Sequence, residues 1–376
     1  MLHGIQRELK YLLTHKWDLC LVTLFPLFLI LIFGSMFLQG VPKHLPMAII
    51  DQDNSDLSRN IEYYVSLNEK LKIYTISSSP TEVEQLLNQN KIWGYIHIPD
   101  GAEQRLVKAQ DAEINMAFNQ SYYSVGTAIS SAMLSSTLQA TANYLKTDYF
   151  DNNIPYIDIP TPNVKMSVLF NPNMNYEFYL EPFLIPAILH LLLSCCVAFS
   201  VGIELKNHTV RQWVNQQSLF SAILSKNLVY IVIFLFWTAL WMIWLVGIRG
   251  WFIAGEGWFI LLGQLFFYAA YSFMATLMVL IFKDSLTTFG ILAVYGGSSL
   301  SFAGVTLPLT NAPQFTKFWS DFIPYTHYAK LQTEQWAIGS PLSISLIPLS
   351  VLILYSLIFF VLSIFFLKRY LKGSQV

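Results

Sequence analysis

Long apolar runs separated by short polar turns make up most of the chain, and one polar-rich interval interrupts them. The runs occupy 17–38, 178–203, 227–246, 258–282, 287–302 and 342–367. Each approaches or exceeds the roughly 20 residues that a helix needs to cross a hydrocarbon core. The pattern predicts six transmembrane helices, with Pro26 kinking the first. Ahead of them, Ile5, Leu9, Leu12 and Leu13 alternate with Arg7, Lys10 and Lys16 at helical spacing. That suits an amphipathic helix over residues 1–16 lying in the headgroup layer. A cleaved signal peptide would require a small-residue cleavage site after the first run, and none is there.

Between the first two runs the periodicity changes. Met47 to Ile50 is a short apolar strand, and Asp51 to Asp56 is a polar turn able to cap a helix over 57–67. Further strands are predicted at 71–76, 93–98 and 113–118, a helix from Thr81 with Glu84 at capping-box spacing, and a long Ser/Ala/Thr-rich helix over 122–149. Short strands alternating with helices imply a small mixed sheet with helical cover. The expected fold is therefore an α-helical polytopic membrane protein, with six transmembrane helices and an inserted α/β extracytoplasmic domain. Its divisions are an amphipathic elbow helix and first span (1–40), the α/β domain (41–177), and five further spans (178–376).

Composition sharpens this. Charged residues are 12% of the chain, about half the roughly 25% of soluble domains. The net charge of −1 argues nothing about partners and gives no sign of a nucleic-acid surface. Orientation follows from the short connections. One side holds Arg7, Lys10, Lys16, Lys206, Arg211, Lys226, Lys283, Lys368, Arg369 and Lys372; the other holds only Arg249, Lys317 and Lys330. The first side reads as cytoplasmic, which puts both termini inside and the 41–177 domain outside. Cys20, Cys195 and Cys196 lie in or beside apolar runs and suggest neither a disulfide framework nor a metal site.

Candidate chemistry is sparse. The chain has no G-x-x-x-x-G-K-[ST], H-E-x-x-H or G-x-S-x-G pattern, so it offers no P-loop, zinc-protease or nucleophile-elbow signature and no catalytic residues. Asp51, Asp53, Ser55 and Glu62 match positions 1, 3, 5 and 12 of a calcium loop, but Asp56 replaces the glycine, and the turn reads better as a helix cap. Ionisable residues near the spans are few: Glu181, His190, Glu204 and Lys226. His190 reads as a packed helix residue. No inverted repeat or carboxylate set suits an ion-driven carrier. The chain has spans to move something and no visible energy source, so a separate ATPase would supply it. A membrane enzyme would need clustered His, Asp or Glu at the bilayer surface. A receptor whose external domain binds a ligand would signal through a partner, and this second reading stays open.

The residues resemble one family over essentially the whole length: the permease subunits of type-2 ABC exporters, in the subgroup with a large extracytoplasmic domain between spans one and two. The acidic turn ending in Ser58-Arg59, the strand Gly94 to Pro99, and Leu169-Phe170-Asn171-Pro172 before the second run are similar to that family's features. So are Glu204 to Val210 after that run, and Ala303-Gly304, Pro308, Pro313 and Ile323 to Tyr328 before the last. At His208 the family usually has glycine, and its second acidic residue is missing here.

The resemblance implies a dimer of permeases, homodimeric or paralogous, on two ABC ATPase subunits that bind the ATP. The permease itself would carry no cofactor. It implies residence in a bacterial inner membrane and leaves room for a periplasmic adaptor. Residues 216–225 would form a coupling helix against the ATPase, through Glu204 and the face made by Leu219, Phe220, Ile223 and Leu224. The stretch 303–335 would enter from outside as two half-helices broken at Pro308 and Pro313, forming an outer gate with Pro324 and Tyr325. An aromatic path would suit drug-like, lipid or other amphipathic cargo leaving the cytoplasm or inner membrane.

Overall fold

The computed structural model describes residues 1–36, 42–108, 110–119, 123–146, 171, 175–215, 217–306, 309 and 312–373. The chain divides into two compact units: Met1–Leu38 with Leu169–Val376, and Gln39–Val168. The expected boundary at 40/41 falls outside the described residues, as do Gln216, Pro308, and all of the 169–172 motif except Asn171.

The 39–168 unit is built on β1 (Leu45–Asp51), with α4 (Asp56–Ser66), β2 (Leu71–Ser77), α5 (Pro80–Asn88), β3 (Gly94–Ile98), α6 (Ala102–Val107), β4 (Asn115–Phe118) and α7 (Tyr123–Asn143) following. The sheet order is β2-β1-β3-β4. β1 runs parallel to both its neighbours, and β4 is antiparallel to β3. A central strand covered on both faces should read as an unbroken apolar run, which is how 47–50 reads. Met47 and Ile49 pack with Leu57, Ile61, Ile129 and Met133. Ala48 and Ile50 pack with Val83 and Ile92 on the other face.

The Asp51 turn is a cap. Asp51 Oδ1 accepts from the N–H groups of Asp53 and Asn54, and Ser55 exchanges capping-box hydrogen bonds with Ser58. Helix α5 begins at Pro80, one residue before the predicted Thr81, and Ser79 is its N-cap residue. A proline at the first position loses no hydrogen bond there, so it starts the helix earlier than the Thr81 signal suggested. The short α6 carries too little pattern to have been predicted.

The other unit is helical: α1 (Leu2–Thr14), α2 (Lys16–Val22), α3 (Leu24–Met36), α8 (Tyr176–Lys206), α9 (Val210–Val214), α10 (Leu219–Ile243), α11 (Gly257–Phe282), α12 (Ser285–Gly297), α13 (Ser299–Phe302), α14 (Gln314–Phe322), α15 (Pro324–Thr333) and α16 (Leu342–Gly373). Single π turns follow α10 and α15, at Trp244–Ile248 and Glu334–Ile338. Among the described residues, five helices are long and apolar enough to cross a membrane: Lys16–Met36, Tyr176–Lys206, Leu219–Ile248, Gly257–Phe282 and Leu342–Gly373. The predicted span at 287–302 is instead the short pair α12 and α13, which meet beside Gly296 and Gly297. Two adjacent glycines weaken a helix interior, and the apolar run there is short to begin with.

The first span breaks at Thr23 rather than at Pro26. Pro26 has no N–H to offer the Val22 carbonyl, so the ladder opens in the turn that precedes the proline. Helix α11 is the most enclosed of the long helices and touches α8, α10, α12, α15 and α16. Helix α16 lies along it by small residues: Ser356 and Ser363 donate to the carbonyls of Phe266 and Phe273, seven residues apart on both helices.

Candidate functional site

At the end of the helices where α1 packs, four charges meet, three of them out of water. Helix α1 turns Ile5, Glu8 and Leu12 inward at spacings of three and four. Its close approach to α10 depends on Gly4, where a Cβ would collide with the Ser225 hydroxyl. Lys226, the next residue along α10, donates to Glu8 Oε2 at 2.8 Å and to Glu204 Oε1 at 3.2 Å. Arg7 holds both oxygens of Glu204, at 2.7 and 2.9 Å. Ser200 and Tyr230 donate to Glu8 Oε1 at 2.5 and 2.8 Å. The Lys226 ammonium also lies 5.4 Å from the centre of the Trp213 ring. Glu8, Glu204 and Lys226 are buried, and Arg7 is partly exposed. Two cations face two anions, so this clasp has no net formal charge. It joins α1, α8, α9 and α10.

The C-terminus of α8 builds one side of the clasp. The N–H of Thr209 bonds the carbonyl of Glu204, and that of His208 bonds Leu205, which is the two-bond pattern of a Schellman cap. The pattern requires a left-handed residue, and His208 supplies it with φ of 55°. Glycine adopts that conformation without penalty, which is the physical reason glycine would be usual there. The Thr209 hydroxyl returns to Glu204 Oε2 at 2.5 Å.

Of the residues singled out from sequence, Glu204 sits inside the clasp. The stretch 216–225 is not a separate amphipathic helix. Its described part from Leu219 forms the first turns of α10, with Ser218 as the N-cap. Ile223 is buried, while Leu219 and Leu224 pack against the helical core. Phe220 alone of the four is exposed, its ring edge-on to Phe360 at 5.0 Å. The apolar face thus serves packing within the chain. The outward surface at this end carries Lys206, Asn207, His208, Arg211, Gln212 and Phe220.

A second polar contact closes the opposite end of the same helices. Arg249, beyond the π turn after α10, donates to both oxygens of Glu177 at the start of α8, and Trp251 Nε1 donates to Glu177 Oε2 at 2.8 Å. The hydrogen bond to Glu177 holds the Arg249 guanidinium above its ordinary range. Pro313 is the N-cap residue of α14, and Pro324 opens α15. Tyr325 is buried and donates to the carbonyl of Phe183 at 2.9 Å. Trp336 donates to the carbonyl of Phe178 at 3.1 Å, and the Tyr179 hydroxyl donates to that of Val305. The 303–338 stretch is thus tied to the first turns of α8 by three separate bonds. A cavity of about 250 Å³ lies beside them, lined among others by Phe178, Tyr179, Phe183, Val305, Thr333 and Trp336.

His190 is buried among Phe267, Tyr271 and Tyr325, as a packed residue would be. Glu181 is buried, and neither of its oxygens has a hydrogen-bond partner among the described residues. Among those residues no cluster of His, Cys, Asp and Glu could hold a metal.

Glu8, Glu177 and Glu334 went unnoticed in the sequence. Glu334 is buried, and Ser345 donates to it at 2.6 Å. Glu8 left one signal: an acid at the spacing of the inward apolar residues of α1, where a surface helix should show an apolar residue.

A family model described as ABC-2 family transporter protein matches residues 16–365. No curated protein and no solved structure matches the chain.

Two outcomes test the geometry of the α1 end. Lys226→Met leaves the buried Glu8 without its cation and Glu204 with Arg7 alone, and should destabilise the protein by about 3–5 kcal/mol. Adding Glu8→Gln should recover part of that loss, as read by thermal unfolding in detergent. His208→Gly relieves a left-handed histidine and should raise stability by up to about 1 kcal/mol, whereas the β-branched His208→Val should lower it.

Proposed function

The chain belongs to the ABC-2 transporter family and is a permease subunit of an ABC transporter that works with an ABC ATPase subunit; on that premise we propose that it exports an amphipathic, drug-like or lipid substrate. ATP is hydrolysed by the partner, and two permeases, identical or paralogous, assemble over two ATPases. The observation that carries the reading is the neutral clasp of Arg7, Glu8, Glu204 and Lys226, which fastens the N-terminal helix to α8 and α10 at one end of the bundle. A push delivered to that end reaches both long helices at once.

The bias of Lys and Arg in the short connections supports assigning the α1 end to the cytoplasm, with both termini inside and the 39–168 unit outside. In a bacterial host this orientation suits the inner membrane. The α12–α13 pair would complete a sixth, shorter crossing. Docking would use the outward residues of the α8–α10 turn, His208, Arg211, Gln212 and Phe220, with Glu204 held behind them. Leu219, Ile223 and Leu224, packed against the helical core, would stiffen α10 so that it transmits the motion. The 303–338 segment, with Pro308, Pro313, Pro324 and Tyr325, would be the outer gate. The aromatic cavity beside it, having few polar groups, favours apolar cargo over ions. A periplasmic adaptor would dock on the 39–168 unit.

The coupling test uses the permease reconstituted with its ATPase. Phe220→Asp, at an exposed position, should lower permease-stimulated ATP hydrolysis by about 10-fold or more with membrane insertion intact. Stimulation at the native level would remove the docking role. Orientation is tested separately. A cysteine at the exposed Gln89 should react with an impermeant maleimide on intact cells, and one at His208 only after permeabilisation; the reverse pattern would overturn the topology.

A further inference from the structure

We propose that Trp237 and Trp336 are positioning residues that replace the backbone donors missing at Pro26 and Pro182. In a helix, the N–H of residue i bonds the carbonyl of residue i−4. Proline has no N–H, so Pro26 leaves the carbonyl of Val22 unserved, and Pro182 leaves that of Phe178. Inside a membrane such a carbonyl has no water to turn to. Trp237 Nε1, from α10, donates to Val22 O at 2.9 Å. Trp336 Nε1, from the π turn after α15, donates to Phe178 O at 3.1 Å. The same repair occurs twice, on different helices and from different partners. In both cases the carbonyl is the one four residues before a proline.

The consequence is specific. A proline break without a partner is a loose joint, whereas a break whose freed carbonyl is held by another helix has a fixed angle. Trp237 sets the joint between α2 and α3 against α10. Trp336 sets the outer end of α8 against the segment that follows α15, where Tyr325 also holds Phe183 O and Trp336 packs against the Phe178 ring at 5.6 Å. The first turns of α8 and the 324–338 segment therefore move as one body, and bending of α8 falls to the region of Pro186.

The test is a rescue. Trp336→Phe keeps an aromatic body and removes the donor, and should lower the melting temperature of the purified full-length protein by about 2–5 °C. Pro182→Ala returns an N–H to position 182, which then serves the Phe178 carbonyl. In the Pro182→Ala background, Trp336→Phe should lower the melting temperature far less. Trp237→Phe should behave in the same way with and without Pro26→Ala. An equal loss in both backgrounds would overturn the proposal, because the indole would then contribute only packing. The measurement needs neither substrate nor ATPase, so its outcome is independent of the export reading.

Discussion

Within a bilayer every main-chain carbonyl must find its donor inside the protein, and the helical unit is organised by that demand. Helices that run unbroken meet it alone. The interesting positions are those where the sequence breaks the ladder. Pro26 and Pro182 each free a carbonyl, and each is served by an indole from elsewhere in the chain. Serines perform a lighter version of the task, since Ser356 and Ser363 bond carbonyls of the neighbouring helix and their small size lets the two backbones approach. Interhelical contacts here are therefore aimed at the backbone as much as at side chains. They fix the angles between helices as well as their spacing.

Polar clasps close the two ends of the bundle, and they differ in character. The Glu177–Arg249 contact is a single forked pair with an indole added. The other is a four-charge network with three hydroxyls and an aromatic face around it. Pairing opposite charges with full hydrogen bonding is what makes burial of Lys226 and Glu8 tolerable. It also makes the arrangement discriminating, because a displacement of any one helix leaves a charge without its counterpart. For a subunit in an ATP-driven complex, such a joint couples α1, α8 and α10 without the looseness of an apolar contact.

Much of this was legible in the sequence. The long runs gave four of the spans nearly as they stand, and the apolar stretch at 47–50 marked the central strand. The cap at Asp51–Ser55 followed from its side-chain chemistry. What escaped depends on long-range contact. Glu8 looks like one more charge on a surface helix until α8 and α10 are folded against it. The face at Leu219, Ile223 and Leu224 carries the periodicity of a docking helix, but the same spacing serves a helix packed into its own bundle, and sequence periodicity cannot tell the two apart. Pro26 marked a break in the first span, and the break falls at Thr23 because a proline opens the ladder in the turn before it. The run at 287–302 counted as a span by hydropathy, and the paired glycines 296 and 297 shortened the helix it could form.

The clasp at the α1 end also bears on how the protein is made. Glu8 and its cation Lys226 are 218 residues apart in sequence. On the ribosome, Glu8 emerges long before Lys226 has been translated, so α1 cannot form the clasp at that stage. It can seat only when the third long apolar segment arrives. Closure of this end is thus a late event in assembly: until α10 is in place, Glu8 has no cation to meet it.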